Sequence, residues 1–187
     1  DMGVGFEISV LTDYSILEDF TCGIESLDEF IHTKLKVYSD NHYCVTYWVK
    51  NSYNDSVIAV FSLSFDSIDI DEDLFDDMRD GASSTSLPDV DEIYREEFES
   101  KFVYPALEIS FLAVNCKYQN EGIGSEIVEE IANKARSQLL GGCIFLSVKA
   151  MHNINYSTLE FYKKCKFSIQ TPVPNKGIWP MFRTIWV

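Results

Sequence analysis

Long apolar runs are missing from this 187-residue chain, and none approaches the roughly 18–20 residues that a membrane-spanning helix requires. The first residues carry neither the basic start nor the apolar stretch of a secretion signal, so the cytoplasm is the expected compartment. Cysteine is sparse and dispersed. The five cysteines (Cys22, Cys44, Cys116, Cys143, Cys165) are odd in number and form no C-x-x-C pair, which argues against a disulfide framework and a zinc site. The three histidines, His32, His42 and His152, have no ligand spacing such as H-x-x-x-H, so no metal is expected. Most of the thiols read as small buried hydrophobes. Positive charge is also scarce: 15 Lys and Arg stand against 30 Asp and Glu, a net charge of −15. Such a field repels nucleic acid and anionic membranes and favours cationic partners.

The imbalance is local. Between Asp66 and Glu99 there are fourteen acids against Arg79 and Arg95, a balance of −12. Around this segment the apolar pattern is that of an ordinary globular domain. Phe6–Leu11 reads as a strand, and Ser26-Leu-Asp-Glu29 has the pattern of a helix capping box. Leu27, Phe30, Ile31, Leu35 and Tyr38 then follow at helical spacing, which predicts one helix over 26–39. Tyr43–Val49 and Val57–Phe65 predict a β-hairpin across the turn residues of 51–55. The acidic stretch from about 66 to 104 has a loop-forming Gly81–Ser86 and a short helix over 89–100. It reads either as a solvated surface insertion or as an arm that receives basic groups.

The core pattern returns after Pro105. Ala106–Val114 predicts a strand whose only charge is Glu108. Ile123, Ile127, Val128, Ile131 and Ala135 mark an amphipathic helix that Gly141-Gly142 would end. Ile144–Val148 predicts a strand, Asn155–Lys164 a helix, and Phe167–Gln170 and Met181–Trp186 the closing strands. This order is an α/β plan around a mixed sheet.

The junction at Gln119-Asn-Glu-Gly122-Ile-Gly124-Ser125 takes a strand into a helix through two glycines. Glycine permits a tight turn and close ligand approach. The first helical amides have no partner within the helix and lie at its positive end, so they can seat a phosphate or pyrophosphate. A turn that merely joins strand to helix would look similar. No G-x-x-x-x-G-K-[ST] is present, and no third glycine completes G-x-G-x-x-G, so both mononucleotide readings are weak.

Gln119-Asn-Glu-Gly122-Ile-Gly124 resembles the Q/R-x-x-G-x-G/A motif of the GNAT N-acetyltransferase superfamily, placed after a strand ending in Leu112-Ala113-Val114. Asn155-Tyr-Ser-Thr-Leu-Glu-Phe161-Tyr162 is similar to that family's N-x-x-A-x-x-F-Y helix, and Phe167 to the Phe that follows. Phe20-Thr-Cys-Gly23 and Leu27-Asp-Glu-Phe30 look like the opening of its toxin-type members. The resemblance implies one N-acetyltransferase domain over 1–187, with a GNAT-like mixed, mostly antiparallel β-sheet flanked by helices. It implies acetyl-CoA as co-substrate, without a metal, and direct transfer of acetyl to an amine.

Residue by residue, Leu112, Ala113 and Val114 would bond the pantetheine arm through their backbone. The pyrophosphate would be held at Gln119, Asn120, Glu121, Gly122, Ile123, Gly124 and Ser125, and Asn155 would contact the cofactor. Tyr162 would lie beside the thioester sulfur and give it a proton, although a core aromatic would show the same spacing. Glu108 falls on the same strand face as Ser110, Leu112 and Val114, and members of the family often place a Glu in this strand as the base. A structural acid paired with a neighbour is the other reading. Lys166 stands where the family has Gly, which predicts a different turn before Phe167. Glu121 puts an acid in the phosphate turn.

The acidic field points to a cationic acceptor: a small amine, a polyamine or a basic peptide. Toxin-type members acetylate aminoacyl-tRNA, but a net charge of −15 disfavours RNA unless the cations gather on one face. A homodimer is compatible with the resemblance, and no membrane partner is expected. The alternative function is a CoA-binding module of low activity whose acidic segment docks a basic protein.

Overall fold

The computed structural model describes residues 5–80, 91–137, 140–170 and 175–185. The chain packs as two compact units, residues 1–64 with 109–126, and residues 65–108 with 127–187.

The first unit opens with β1 (Phe6–Val10), a 3-10 turn at Tyr14–Leu17, α1 (Glu25–Thr33) and α2 (Leu35–Asp40). Its hairpin is β2 (Val45–Asn51) and the start of β3 (Val57–Asp69), antiparallel with Val45 opposite Leu63 and Trp48 opposite Val60. β1 lies antiparallel to β2, with Ile8 opposite Val49. The helical prediction over 26–39 needs correction on two points. Lys34 leaves helical geometry (φ −121°), so the segment divides into two helices. The capping box is not used either, because α1 begins at Glu25 after Ile24, which offers no cap, and Asp28 turns back to the preceding loop. Apolar burial explains why both helices hold: Leu11, Leu17, Phe20, Ile31, Leu35, Val60 and Ala113 form one buried cluster.

The second unit takes the end of β3, then α3 (Glu72–Arg79) and α4 (Glu92–Glu99), and then enters β4 (Val103–Val114). α3 is capped by the Asp71 carboxylate, which accepts from the Leu74 amide at 2.9 Å. The acidic segment is not only a solvated insertion, because Phe75 and Met78 of α3 are buried with Ile68, Ile70, Tyr104, Phe145 and Phe182. The expected loop at Gly81–Ser86 lies outside the described residues. α5 (Ile123–Ser137) follows β4, and then β5 (Phe145–Met151), α6 (Leu159–Lys164), β6 (Ser168–Ile169) and β7 (Ile178–Thr184). β5 and β6 both pair antiparallel with β7. The strand order is β1-β2-β3-β4-β5-β7-β6, a seven-stranded, mostly antiparallel sheet in an α/β fold. No helix of the described residues is long and apolar enough to cross a membrane.

Candidate active site

β4 ends at Val114, and a short 3-10 turn, Cys116–Tyr118, carries the chain to Gln119. Asn115 fixes this exit, since its carboxamide oxygen accepts from the Lys117 amide at 3.0 Å while its own amide donates to Ile58 O at 2.8 Å. Asn120 (φ 64°) and Gly122 (φ 83°) both take the left-handed conformation, which Asn tolerates and Gly prefers. A Cβ at Gly122 would meet nothing within 4 Å, so the turn faces open space on that side. The amide of Ser125 already donates to Gly122 O at 3.0 Å. The amides from Asn120 to Gly124 donate to no acceptor among the described residues. These amides lie at and just before the start of a 15-residue helix, at the positive end of its peptide dipoles. Glu121 is exposed, so its carboxylate is hydrated.

The Gln119 side chain has a different task from its neighbours. Its NH2 group donates to Cys22 O at 2.7 Å and to Val114 O at 2.8 Å, so it braces the turn. The loop it grips is itself tied down. The Asp28 carboxylate accepts from Thr21 Oγ1 at 2.6 Å, from the Cys22 amide at 2.8 Å and from the Gly23 amide at 3.2 Å. Burial, with Asp28 beside it, pushes the Cys22 thiol up to about 11, so it stays neutral. Gly23 has φ 81° and its missing Cβ would lie 3.1 Å from Cys116 Sγ, which shows how closely the loop approaches the 3-10 turn. Cys116 N completes the contact by donating to Thr21 O at 3.0 Å. Thr21–Gly23, tied by Asp28, therefore hold the turn at Gln119 in shape. Leu112 and Val114 are half-buried and Ala113 is buried in the first unit's core.

In the second unit α6 is shorter than predicted. Asn155 to Ser157 form an exposed or half-exposed loop, in which Asn153 Oδ1 accepts from the amides of Asn155 and Tyr156, both at 2.9 Å. Thr158 then anchors the helix start to β5 through its hydroxyl, which accepts from the Met151 amide at 3.0 Å. Asn155 thus sits on a turn ahead of the helix. Tyr162 is buried, with its ring between Phe161 (5.0 Å) and Phe167 (5.4 Å). No hydrogen bond of its hydroxyl occurs among the described residues. Burial pushes the phenol well above its usual range, so it keeps its proton.

In the turn after α6, Lys166 takes φ 69°, a left-handed conformation that glycine adopts more readily. Phe167 N donates to Tyr162 O and Lys166 N to Lys163 O, both at 3.0 Å, the two bonds of a Schellman cap.

Glu108 is not the isolated carboxylate that its strand suggested. Lys149 of β5 pairs with it at 2.9 Å, and the Glu108 side chain is 13% exposed against 62% for Lys149. Lys149 is the only charge in β5, and that was the signal available in the sequence. A second charge was also overlooked. Arg183 of β7 is fully buried and donates to Glu129 Oε1 at 2.6 Å and to Cys165 O at 3.0 Å. It thereby holds the end of α6 to α5 within the second unit, and it draws the Glu129 carboxyl below its ordinary range. No group of three His, Cys, Asp or Glu able to hold a metal occurs among the described residues.

The model of the acetyltransferase (GNAT) family matches residues 14–167. The chain therefore belongs to that family. It is an acyl-CoA N-acetyltransferase, and acetyl-CoA is its co-substrate. No curated protein sequence matches it. Among solved structures it is similar to a mutant of the toxin AtaT bound to the C-terminus of the antitoxin AtaR and acetyl-CoA. That match has a TM-score of 0.64 and 20% identity and covers 96% of this chain and 93% of that one. A mutant of KacT gives a TM-score of 0.65 at 18% identity, covering 96% and 95%. AtaT complexed with acetyl-methionyl-tRNAfMet gives 0.63 at 20%, covering 94% of each chain.

Proposed function

We propose that residues 1–187 act as a single N-acetyltransferase domain that moves acetyl directly from acetyl-CoA to a cationic primary amine. The observation that carries this reading is the run of five free amides from Asn120 to Gly124 at the start of α5. They suit a pyrophosphate, with Gly122 leaving room for it and Gln119 keeping the turn in shape. The backbone of Leu112–Val114 takes the pantetheine arm, and Asn155 contacts the cofactor. The bound co-substrate supplies a thioester carbonyl open to attack by a neutral amine.

Tyr162 supports the departure of the thiol. A phenol held above its usual range gives up its proton uphill to a thiolate whose acid lies near ~8.5. Its first contribution is therefore a hydrogen bond to sulfur as charge develops there. The unpartnered hydroxyl on a buried ring fits that task. Glu108 takes the proton of the incoming ammonium; after the neutral amine adds, a second proton passes from its nitrogen to the sulfur as the C–S bond breaks, so a neutral amide and a thiol leave.

A second reading, an aminoacyl-tRNA acceptor, has one observation in its favour. Lys163, Lys164, Lys166 and Lys176 are exposed in the second unit, and the last three hold no ion pair among the described residues. The AtaT complex with acetyl-methionyl-tRNAfMet belongs to that toxin, but it makes the same ester-linked amine worth testing here. Thiol release from acetyl-CoA is to be measured against spermidine, a lysine-rich peptide and an aminoacyl-tRNA. Release with either of the first two supports the proposal, and release with the tRNA alone replaces it. Tyr162→Phe should cut turnover about a hundredfold while leaving acetyl-CoA affinity unchanged. Negligible turnover in both proteins, with acetyl-CoA affinity kept in the variant, would favour a CoA-binding module that docks a basic protein through its acidic segment.

A further inference from the structure

Three neighbouring strands of the second unit place a row of polar groups on one sheet face. β3 carries Asp66, β4 carries Glu108, and β5 carries Ser147 and Lys149, two residues apart and so on the same side. Ser147 Oγ donates to Asp66 Oδ2 at 2.6 Å, and the Ser67 amide donates to Asp66 Oδ1 at 2.8 Å, so both Asp66 oxygens are engaged. Glu108 has one polar partner among the described residues, Lys149 Nζ at 2.9 Å. The exposures are unequal. The carboxylate is 13% exposed and the lysine 62%, so a flexible side chain reaches back from solvent to cover a nearly buried acid.

We infer that Lys149 is a specificity-determining residue of the acetyl-transfer site, a resident ammonium that an acceptor ammonium must displace from Glu108 or tolerate beside it. The inference rests on the proposed role of Glu108. If the acceptor takes Oε2, Lys149 has to swing away. If it takes the other oxygen, two ammonium groups share one carboxylate and repel. Both geometries weaken acceptor binding, so the sign of the effect does not depend on which is used. The row also says which acceptors qualify. A nearly buried carboxylate that surrenders its one cation is left unpaired unless the newcomer is itself a cation, so neutral acceptors are rejected.

Lys149 could instead be read as a target of self-acetylation. Its pairing with Glu108, reinforced by the charge of Asp66, raises its affinity for its proton, and a protonated amine has no lone pair to attack a thioester. The guarding role therefore fits better than the nucleophilic one.

The test uses spermidine as the probe, titrated calorimetrically into the full chain saturated with coenzyme A, which has no acetyl group to transfer. Lys149→Met keeps the stem and removes the charge, and Lys149→Arg restores it. Exposed pairs are weak, so the expected gain in spermidine affinity for Lys149→Met is about three- to tenfold, with Lys149→Arg returning to the wild-type value. Unchanged or weaker binding in Lys149→Met, or no spermidine binding to either protein, overturns the inference. Acetyl-CoA is titrated into a separate sample of each protein without amine. Loss of that binding in the wild type would sink the acetyltransferase reading itself, whereas normal acetyl-CoA binding with a flat Lys149→Met response sinks only this inference.

Discussion

Gln119→Glu removes the brace under the phosphate turn while conserving shape. The wild-type carboxamide donates two hydrogen bonds, at 2.7 Å to Cys22 O and at 2.8 Å to Val114 O. A carboxylate has no hydrogen to offer and meets two carbonyl dipoles with the wrong sign. Each lost neutral bond is worth about 0.5–1.5 kcal/mol. Gln119 is exposed, so the carboxylate can rotate into water and the repulsion stays small. The net loss is therefore about 2 kcal/mol, or about 4–8 °C in Tm for a domain of this size. The greater effect falls on function. Without the brace, the loop at 21–23 no longer holds the turn, and the amides of Asn120–Gly124 must be ordered by the ligand, which weakens acetyl-CoA about tenfold. Thermal unfolding by circular dichroism and calorimetric titration of acetyl-CoA measure the two effects. A Gln119→Glu protein with wild-type Tm and wild-type acetyl-CoA affinity would refute the reasoning.

Lys166 holds a left-handed backbone without being glycine, so Lys166→Gly should raise stability by about 1 kcal/mol, read as a higher urea midpoint at unchanged slope. A lower midpoint would show that the lysine side chain contributes more than the backbone costs. Glu129 is drawn below its ordinary range by Arg183, so the stability it adds is complete above its unfolded value of about 4.3 and fades as pH falls through the lower, folded one. Glu129→Gln should cost about 1 kcal/mol at neutral pH, with the difference from wild type closing towards pH 3. A difference that persists at low pH would mean that the carboxylate acts by packing.

The elements that position the candidate site were legible where their signals are local. The 3.6-residue rhythm from Ile123 marked α5, and Gly122 sits where a positive φ is needed. What failed was decided at a distance. Ser26 and Glu29 have the spacing of a capping box, but α1 starts at Glu25, one residue before Ser26, while the Asp28 carboxylate is taken by the amides of Cys22 and Gly23, and Lys34 interrupts an apolar period that reads as continuous. The start of α6 moved to Leu159 because Thr158 bonds to β5 and Asn153 ties the preceding turn. Lys149 and Arg183 are each the single charge of an apolar strand. Their partners, Glu108 and Glu129, lie far away in the chain; strand pairing brings Lys149 to Glu108, and the packing of α5 on the sheet brings Glu129 to Arg183. The left-handed backbone at Lys166 carries no signal in the residue type, since a lysine rarely takes that conformation.

The claim on which the rest depends is that the Asn120–Gly124 amides receive the pyrophosphate. Titrating acetyl-CoA into 15N-labelled protein and following each amide resonance tests it most directly. The account predicts large, saturable shifts concentrated at Asn120, Glu121, Gly122, Ile123 and Gly124. Saturable binding that leaves those five resonances in place would contradict it.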